Sequence, residues 1–372
     1  MRKRISLELQ SALGNKTGIG WYTYNLAKEL CKNNENTYIG EIFSFRKKDL
    51  NEMQIPNLLI VENRFFPYRL FDKLRKYINY NFLMKTHSDI YCFFNFHIPS
   101  KIKGKIIVVI HDVVFAEYPE SCKKPKSLSA YIESIEKSDI IVTVSESSKR
   151  GILKYFKVNP DKIKIVPPGI YLEDYQKNYA EEELKLAKEK YKLSEKFILY
   201  LGTIEPRKNI SNIVLAFNKY KFENNDNLKL VIAGRKDWKY EEIFEVYKNS
   251  KYKNDILFID YVDEKDKIKL YKSAELFIFP SLYEGFGMPV LEAMAAGVPV
   301  ITSNISSLPE VAGEGAILVN PNSVEEISKA MKKIIYGDKE FVEKMIKEGK
   351  KQAEKYTWEK SARKMEQIYE EL

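Results

Sequence analysis

Two glutamates flank a glycine-rich turn in the stretch PSLYEGFGMPVLEAMAAGVPVITS. Glu284 and Glu292 are separated by seven residues, which include two glycines and a proline. A helix is predicted to begin near Gly287 and Met288, and the free backbone amides at such an N-terminus attract phosphate. A carboxylate close to that end has a different partner, and the hydroxyl groups of a sugar are the natural one. The spacing therefore indicates a site for a ligand that carries hydroxyl groups beside phosphate.

Two adjacent cations follow a predicted strand. In the stretch YLGTIEPRKNI, Gly202 permits a tight turn after the strand Phe197–Leu201, and Arg207 and Lys208 lead into a predicted helix. Fixed positive charge beside the oriented amides of a helix start favours the binding of a diphosphate. The alternative is that both are ordinary surface cations near a helix start.

The N-terminal half contributes further candidates. His111 follows the apolar run KIIVVI, and open α/β sheets bind ligands at the carboxyl ends of their strands. The alternative is a histidine that is satisfied by local hydrogen bonds. Gly18 and Gly20 lie before a predicted helix, where glycine lets the backbone approach a ligand closely. No third glycine completes a dinucleotide-binding fingerprint, which argues against a dehydrogenase.

Composition limits the class of protein. The chain has 372 residues, enough for two domains, and its hydrophobic content of 44% indicates a globular protein. The three cysteines, Cys31, Cys92 and Cys122, lack metal-ligand spacing and predict neither a disulfide framework nor a metal site. No apolar run is long enough for a signal peptide or a membrane span, so we expect a cytoplasmic protein.

Positive charge is concentrated in the first half of the chain. The net charge is +9, and residues 1–177 contain 29 Lys and Arg against 19 Asp and Glu. Within this half, Asn63–Lys85 interleaves aromatic with basic residues. One interpretation is that the segment contacts a lipid-linked acceptor or the inner face of an anionic membrane. The alternative is an amphipathic helix that packs on the domain and has a basic outer face. No nucleic-acid-binding motif accompanies it, so nucleic acid is not an expected partner.

Strands alternate with helices along both halves. The predicted strands of the first half are Arg4–Leu9, Tyr38–Phe45, Leu58–Val61, Lys105–Ile110, Ile140–Val144 and Ile163–Val166. Those of the second half are Phe197–Leu201, Leu228–Ala233, Ile256–Ile259, Glu275–Phe279 and Val298–Ile301. This order predicts an α/β protein with one parallel sheet in each half. The charged, partly helical segment Leu172–Lys196 is the predicted linker between them.

Together these motifs resemble those of the retaining glycosyltransferases of family 4. The resemblance covers most of the chain and is strongest from Tyr200 to Pro309, where EGFGMPVLEAMAAGVPVITS and LGTIEPRKNI occur; GIG, HD and PPGI precede them in matching order. It implies the GT-B fold, in which two Rossmann-like parallel-sheet domains face a central cleft. The implied domains are residues 1–176 on the acceptor side and 177–355 on the nucleotide-sugar side. Residues 356–372 would form a C-terminal helix that crosses back to the first domain.

The resemblance implies a role for each candidate in the C-terminal half. Arg207 and Lys208 would bind the donor diphosphate and would replace a metal ion, so no metal or cofactor is expected. Glu292 would accept hydrogen bonds from ribose hydroxyls, and Glu284 would contact the transferred sugar. Backbone amides beside that sugar would come from Phe286, Gly287 and Met288.

In the N-terminal half, the resemblance implies that His111 reaches the sugar from the opposite domain. The loop that contains Gly18 and Gly20 would close over the phosphates.

The implied activity is that of a retaining hexosyltransferase. The stretches LYLGTIEPRKN and HDVVFAEYPE are similar to those of mannosyltransferases of bacterial polysaccharide assembly. GDP-mannose is therefore the favoured donor, and a glycan or lipid-linked saccharide is the expected acceptor. The alternatives are a UDP-sugar donor, a GT-B phosphorylase or sugar-nucleotide epimerase, and a non-catalytic nucleotide-sugar-binding protein of the same fold.

Overall fold

The structure is a computed structural model that describes residues 2–14, 16–33, 35–44, 53–99, 101–121, 128–193 and 196–372. Phe45, at the end of a predicted strand, and Cys122 lie outside the described residues. The chain divides into two compact units. The first comprises Met1–Val113, Pro125–Gly169 and Trp358–Leu372, and the second comprises Val114–Lys124 and Ile170–Thr357.

Seven strands form one sheet in the first unit. They are β1 (Arg4–Glu8), β2 (Thr37–Phe43), β3 (Leu58–Asn63), β4 (Ile90–Phe93), β5 (Lys105–Val109), β6 (Ile140–Thr143) and β7 (Ile163–Ile165). Their order is β3-β2-β1-β4-β5-β6-β7, and every pairing is parallel. The central strands are buried and almost continuously apolar, as expected for a parallel sheet covered on both faces.

Six strands form a second parallel sheet in the second unit. They are β8 (Phe197–Leu201), β9 (Lys229–Ala233), β10 (Ile256–Ile259), β11 (Leu276–Phe279), β12 (Val300–Ser303) and β13 (Ile317–Val319). Their order is β10-β9-β8-β11-β12-β13, again with parallel pairing throughout. The two parallel sheets confirm the predicted α/β class.

Sixteen helices accompany these strands in the described part of the chain. They are α1 (Gly18–Leu30), α2 (Tyr68–Leu74), α3 (Tyr80–Met84), α4 (Val114–Glu117), α5 (Leu128–Lys137), α6 (Glu146–Tyr155), α7 (Leu172–Gln176), α8 (Glu181–Lys190), α9 (Ile210–Asn224), α10 (Tyr240–Lys248), α11 (Glu264–Ser273), α12 (Met288–Ala296), α13 (Leu308–Ala312), α14 (Val324–Tyr336), α15 (Lys339–Ala353) and α16 (Trp358–Glu371). Among the described residues, no helix has the length and apolar content needed to cross a membrane.

Two strands are absent from the prediction. β4, with the sequence IYCF, lies at the centre of the first sheet between β1 and β5, and β13 forms one edge of the second sheet. β4 has four residues and β13 has three. The strand predicted at Val298–Ile301 instead covers Val300–Ser303, because the Val298 amide still donates to the Ala293 carbonyl of α12.

The segment predicted as a linker packs within the second unit. It contains α7 and α8, of which α7 contacts α12 and α8 contacts α11. Tyr175 in α7 is buried, and Lys190 at the end of α8 pairs with Asp263 and Asp266 at 2.6 and 2.5 Å. Leu172–Lys196 is therefore an integral part of that unit and does not behave as a free connection.

The last helix, α16, belongs to the first unit, where it packs on α1. The ring of Trp358 meets that of Tyr22 edge to face at 5.9 Å, and the Ser361 hydroxyl donates to the Pro167 carbonyl. The domain boundaries at 176 and 355 stay predictions.

The adjacent strands β1 and β2 each carry one buried carboxylate. Glu8 and Glu41 are direct neighbours in the strand register, and both are almost fully buried. Glu41 accepts hydrogen bonds from the hydroxyls of Ser6, Tyr80 and Thr86. Burial, with a smaller contribution from the charge of Glu41, raises the pKa of Glu8 to about 7, although the Gln10 amide donates to it.

The raised pKa of Glu8 predicts a loss of stability at higher pH. A carboxyl with pKa 4.5 when exposed and about 7 in the folded protein stabilises the fold below pH 4.5, and this contribution disappears as pH rises through 7. Between pH 5 and 7.5, the free energy of unfolding should fall by on the order of 2 kcal/mol relative to that of Glu8→Gln. Urea titrations at both pH values measure this difference.

The matched control is Glu182→Gln, which changes an exposed carboxylate in α8. Its urea midpoints should follow those of the unmodified protein at both pH values. Parallel pH dependence in Glu8→Gln and the unmodified protein would contradict the assignment.

Candidate active site

A one-turn helix carries the two predicted cations. β8 ends at Leu201, and Pro206–Lys208 form a single turn. Asn209 follows this turn and is the N-cap of α9. Asn209 has a left-handed backbone with φ of 63°, which asparagine tolerates better than most residues. Its side-chain amide donates to the carbonyls of Pro280 and Pro321 at 3.0 and 2.6 Å. This turn is therefore fastened to the loops that follow β11 and β13.

Arg207 and Lys208 share one carboxylate. The Lys208 ammonium lies 2.7 Å from Oε1 of Glu284, and the Arg207 guanidinium lies 3.0 Å from Oε2. Arg207 also contacts Oε1 of Glu205 at 2.5 Å and donates to the Tyr283 carbonyl at 2.7 Å. β8 and β11 are adjacent strands, so the loops that follow them bring these side chains together at the carboxyl edge of the sheet. We call Glu205, Arg207, Lys208 and Glu284 the charge cluster.

The charge cluster is almost removed from water. Burial alone would raise the pKa of Glu284, but the charges of Lys208 and Arg207 outweigh it and lower that pKa to about 2. Burial lowers the pKa of Lys208, and the attraction of Glu284 opposes this effect. Two carboxylates and two cations compensate each other, because an unpaired buried charge would be costly. An entering anion would therefore compete with Glu284 for both cations.

The loop after Glu284 is held in one conformation. Gly287, the N-cap of α12, has φ of 114°, and a side chain there would meet Leu308 at 2.6 Å. The hydroxyls of Ser306 and Ser307 donate to the Glu284 carbonyl at 2.6 and 2.9 Å, and the Glu284 amide donates to Ser306. Both serines are site residues that the sequence pattern does not identify.

The start of α12 presents backbone amides. α12 runs from Met288 to Ala296, and Gly297 closes it with a left-handed backbone, which confirms the predicted helix and its end. Within the described residues, the amides of Phe286, Gly287 and Met288 donate to no protein acceptor. They are therefore available to an anionic or hydroxyl-bearing ligand.

Glu292 lies in a separate cluster on α12. Its Oε1 pairs with the Lys267 ammonium at 2.8 Å, and its Oε2 accepts from the Tyr271 hydroxyl at 3.0 Å. Burial works to lower the pKa of Lys267, but the charges of Glu292 and Glu264 outweigh it and raise that pKa. Lys267 and Tyr271, both in α11, are further site residues that the motifs do not reveal. The two predicted glutamates share no partner among the contacts described.

His111 lies in the first unit, directly beyond β5. Its Nε2 is 3.2 Å from the Phe94 carbonyl, which can only accept, so Nε2 carries the hydrogen. The Tyr22 ring meets the imidazole edge to face at 5.0 Å. Burial lowers the pKa of His111 to about 4, so the imidazole is uncharged at neutral pH. Its predicted contact with the sugar stays a prediction.

The two predicted glycines differ in their surroundings. A side chain at Gly20 would lie 2.5 Å from the Ser11 carbonyl, so packing of α1 on the preceding turn requires glycine there. At Gly18, the first residue of α1, a side chain would meet nothing within 4 Å. Gly20 thus has a structural explanation, and Gly18 is the position that a ligand could approach.

The structure groups the predicted residues by unit. Arg207, Lys208 and Glu284 contact one another, and Glu292 lies in the same unit, whereas His111 and the glycines lie in the first unit. Within the described ranges, no group of three or more His, Cys, Asp or Glu side chains is arranged to hold a metal ion. Transfer without a metal or cofactor stays a prediction.

Two all-parallel α/β units in one chain are the architecture of the GT-B glycosyltransferases. The fold is similar to that of sucrose-phosphate synthase from Thermosynechococcus elongatus, with a TM-score of 0.78, 17% identity and coverage of 100% of this chain and 99% of that one. It is also similar to HepE from Anabaena in complex with UDP and glucose, with a TM-score of 0.77, 14% identity and full coverage of both chains. These similarities confirm the predicted GT-B fold.

Sequence comparison identifies the family. The family model described as Glycosyltransferase Family 4 matches residues 16–174, and the one described as Glycosyl transferases group 1 matches residues 181–352. O-antigen chain mannosyltransferase B of Escherichia coli is 30% identical over 364 residues, which cover 92% of this chain and 93% of that protein. The chain belongs to glycosyltransferase family 4, as its motifs predict, and is a glycosyltransferase.

Substitution of each glycine separates packing from ligand access. Gly20→Ala should lower the free energy of unfolding by about 1–3 kcal/mol, because the new methyl group overlaps a backbone carbonyl that cannot move freely. Gly18→Ala, the matched control in the same helix, should leave stability unchanged or raise it by up to about 1 kcal/mol. Urea unfolding measures both. Equal stability of the two variants would contradict the packing role of Gly20.

Proposed function

We propose that the protein is a retaining mannosyltransferase, which moves mannose from GDP-mannose to a glycan or lipid-linked saccharide in cell-surface polysaccharide synthesis. The observation that carries the proposal is the charge cluster, in which Arg207 and Lys208 lie beside Glu284 at the carboxyl edge of the second sheet. The mannosyl group is supported by the E. coli relative, which carries that activity in its name. A cytoplasmic location belongs to the same proposal.

Arg207 and Lys208 stabilise the departing diphosphate. When the bond between the sugar and the β-phosphate breaks, negative charge grows on the phosphate, and cations fixed beside it favour the transition state over the ground state. Arginine supplies a planar fork and lysine a compact charge, which suits two phosphate oxygens at once. Two protein cations take the place of a metal ion in this account.

Glu284 changes partners during the reaction. Before the donor binds, it compensates Lys208, which would otherwise be buried without a counterion, and it shares the charge of Arg207 with Glu205. Once the diphosphate engages the cations, the carboxylate is released to accept hydrogen bonds from the sugar hydroxyls. The anchor of the loop on Ser306 and Ser307 keeps the Glu284 backbone in place through this exchange.

Glu292 binds the ribose of the donor. Its two oxygens are held by Lys267 and Tyr271, so the carboxylate has a fixed direction and keeps further acceptor capacity for hydroxyl groups. The backbone amides of Phe286, Gly287 and Met288 supply contacts for the sugar.

Donor choice and product configuration test the proposal. GDP-mannose should raise the melting temperature more than UDP-glucose does, because only the bound nucleotide sugar stabilises the folded state. Incubation with mannose-containing oligosaccharides should yield an α-linked mannoside, detected by NMR, and transfer should continue in excess chelator.

Arg207→Ala should lower kcat by about 10²-fold, because one fixed cation beside the departing diphosphate is lost.

Arg363→Ala is the matched control, because this arginine pairs with Glu359 on the exposed side of α16. It should transfer mannose at the unmodified rate.

Preference for UDP-glucose would favour a UDP-sugar-dependent transferase, for which the UDP-bound neighbour is the structural analogy. Turnover that requires inorganic phosphate, or release of free sugar without an acceptor, would instead identify a phosphorylase or an epimerase. Activity that is lost with chelator and restored by magnesium would contradict the role of the cation pair.

A further inference from the structure

Large apolar side chains are exposed along one segment of the first unit. Residues 64–85 contain α2 and α3, and there Phe65, Tyr77 and Phe82 are 92%, 76% and 83% exposed. Leu70 and Leu74, one turn apart on α2, are also exposed. Five exposed large apolar side chains within 22 residues usually mark an interaction site, whereas single exposed apolar residues need no explanation. We call residues 64–85 the α2–α3 surface.

This exposure is not the result of loose attachment. Phe71 of α2 stacks on Phe43 with 4.5 Å between ring centroids, and the Tyr80 hydroxyl donates to buried Glu41. The Asn79 side chain caps the start of α3 by accepting from the Phe82 amide. Both helices are therefore fixed on one side by buried contacts, and the exposed aromatic rings project from an anchored base.

Cations alternate with these apolar side chains. Arg69, Lys73 and Lys85 are exposed and form no ion pair within the described residues. The single acidic residue of the segment, Asp72, is already occupied by Arg75 and His97 at 3.1 and 2.5 Å. The other three cations of the segment, Arg64, Arg75 and Lys76, pair with Glu62, Asp72 and Glu133. The uncompensated positive charge of the α2–α3 surface is therefore that of Arg69, Lys73 and Lys85.

We propose that the α2–α3 surface binds an anionic lipid bilayer. Exposed lysine and arginine side chains attract the phosphate groups of acidic lipids, while aromatic rings are favoured at the boundary between head groups and acyl chains. Phe65, Tyr77 and Phe82 enter that boundary, and Leu70 and Leu74 add apolar area beneath them. Nucleic acid would complement the positive charge, but it would not bury the exposed leucine side chains.

This inference deepens the proposed function, since a lipid-linked acceptor would be met at such a surface. It does not depend on the donor. Binding to a bilayer uses α2 and α3 of the first unit, whereas the predicted diphosphate contacts lie in the second unit. The two proposals can therefore fail separately.

Sedimentation with vesicles tests the inference. The full chain should sediment with vesicles that contain about a third phosphatidylglycerol, should remain in solution with pure phosphatidylcholine, and should be released as salt is raised. Arg69→Gln/Lys73→Gln/Lys85→Gln should weaken binding at least tenfold. The matched control, Lys332→Gln/Lys344→Gln/Lys347→Gln, changes three exposed cations of the second unit and should bind as the unmodified protein does.

The apolar contribution has its own matched pair. Phe82→Ser should weaken vesicle binding several-fold, and Phe222→Ser, which changes a ring that is 80% exposed on α9, should not. Equal binding to both kinds of vesicle, no binding, or equal effects of the test and control variants would overturn the inference. The melting temperature of every variant is measured without ligand. An unchanged melting temperature with loss of vesicle binding supports the inference, and loss of binding that occurs only in variants with a lowered melting temperature would overturn it.

Discussion

The pairing of Glu284 with Arg207 and Lys208 is the interaction on which the rest of the site depends. Cations this far removed from water need counterions, and Glu284 contacts both of them at 2.7 and 3.0 Å, while Glu205 pairs with Arg207 alone. In the proposed function, a diphosphate replaces the Glu284 carboxylate and takes over its hydrogen bonds from both cations. Stability without the donor and recognition of the donor thus rely on the same atoms.

The architecture of the second unit serves this pairing. Adjacent parallel strands place the loops after β8 and β11 at one edge of the sheet, where ligands of open α/β sheets bind. Asn209 fastens one loop to its neighbours, and Ser306 and Ser307 fasten the other. Gly287 then turns the chain into α12, whose one charged residue is Glu292. These supports fix the backbone on both sides of Glu284, as the proposed exchange of its partners requires.

Strong local signals made much of this predictable from sequence. The parallel sheets, the end of α12 at Gly297 and the cations after β8 follow from apolar runs and glycine positions that need no tertiary information. The buried strand β4 was missed although strands of the same length, such as β11, were predicted from their apolar runs. The linker assignment failed because a charged helix can still bury one tyrosine, Tyr175. Lys267 and Tyr271 approach Glu292 only through folding, since no motif spacing links them to it.

Calorimetric titration of a nucleoside diphosphate into Glu284→Gln and Glu292→Gln tests the central claim most directly. Glu284 competes with the diphosphate for the cations, so Glu284→Gln should bind GDP as tightly as the unmodified protein or more tightly. Glu292 binds the ribose, and loss of one charged hydrogen bond of about 1.5–3 kcal/mol should weaken GDP binding by Glu292→Gln roughly ten- to a hundredfold. If Glu284→Gln loses GDP as severely as Glu292→Gln does, the exchange of partners at the charge cluster is wrong.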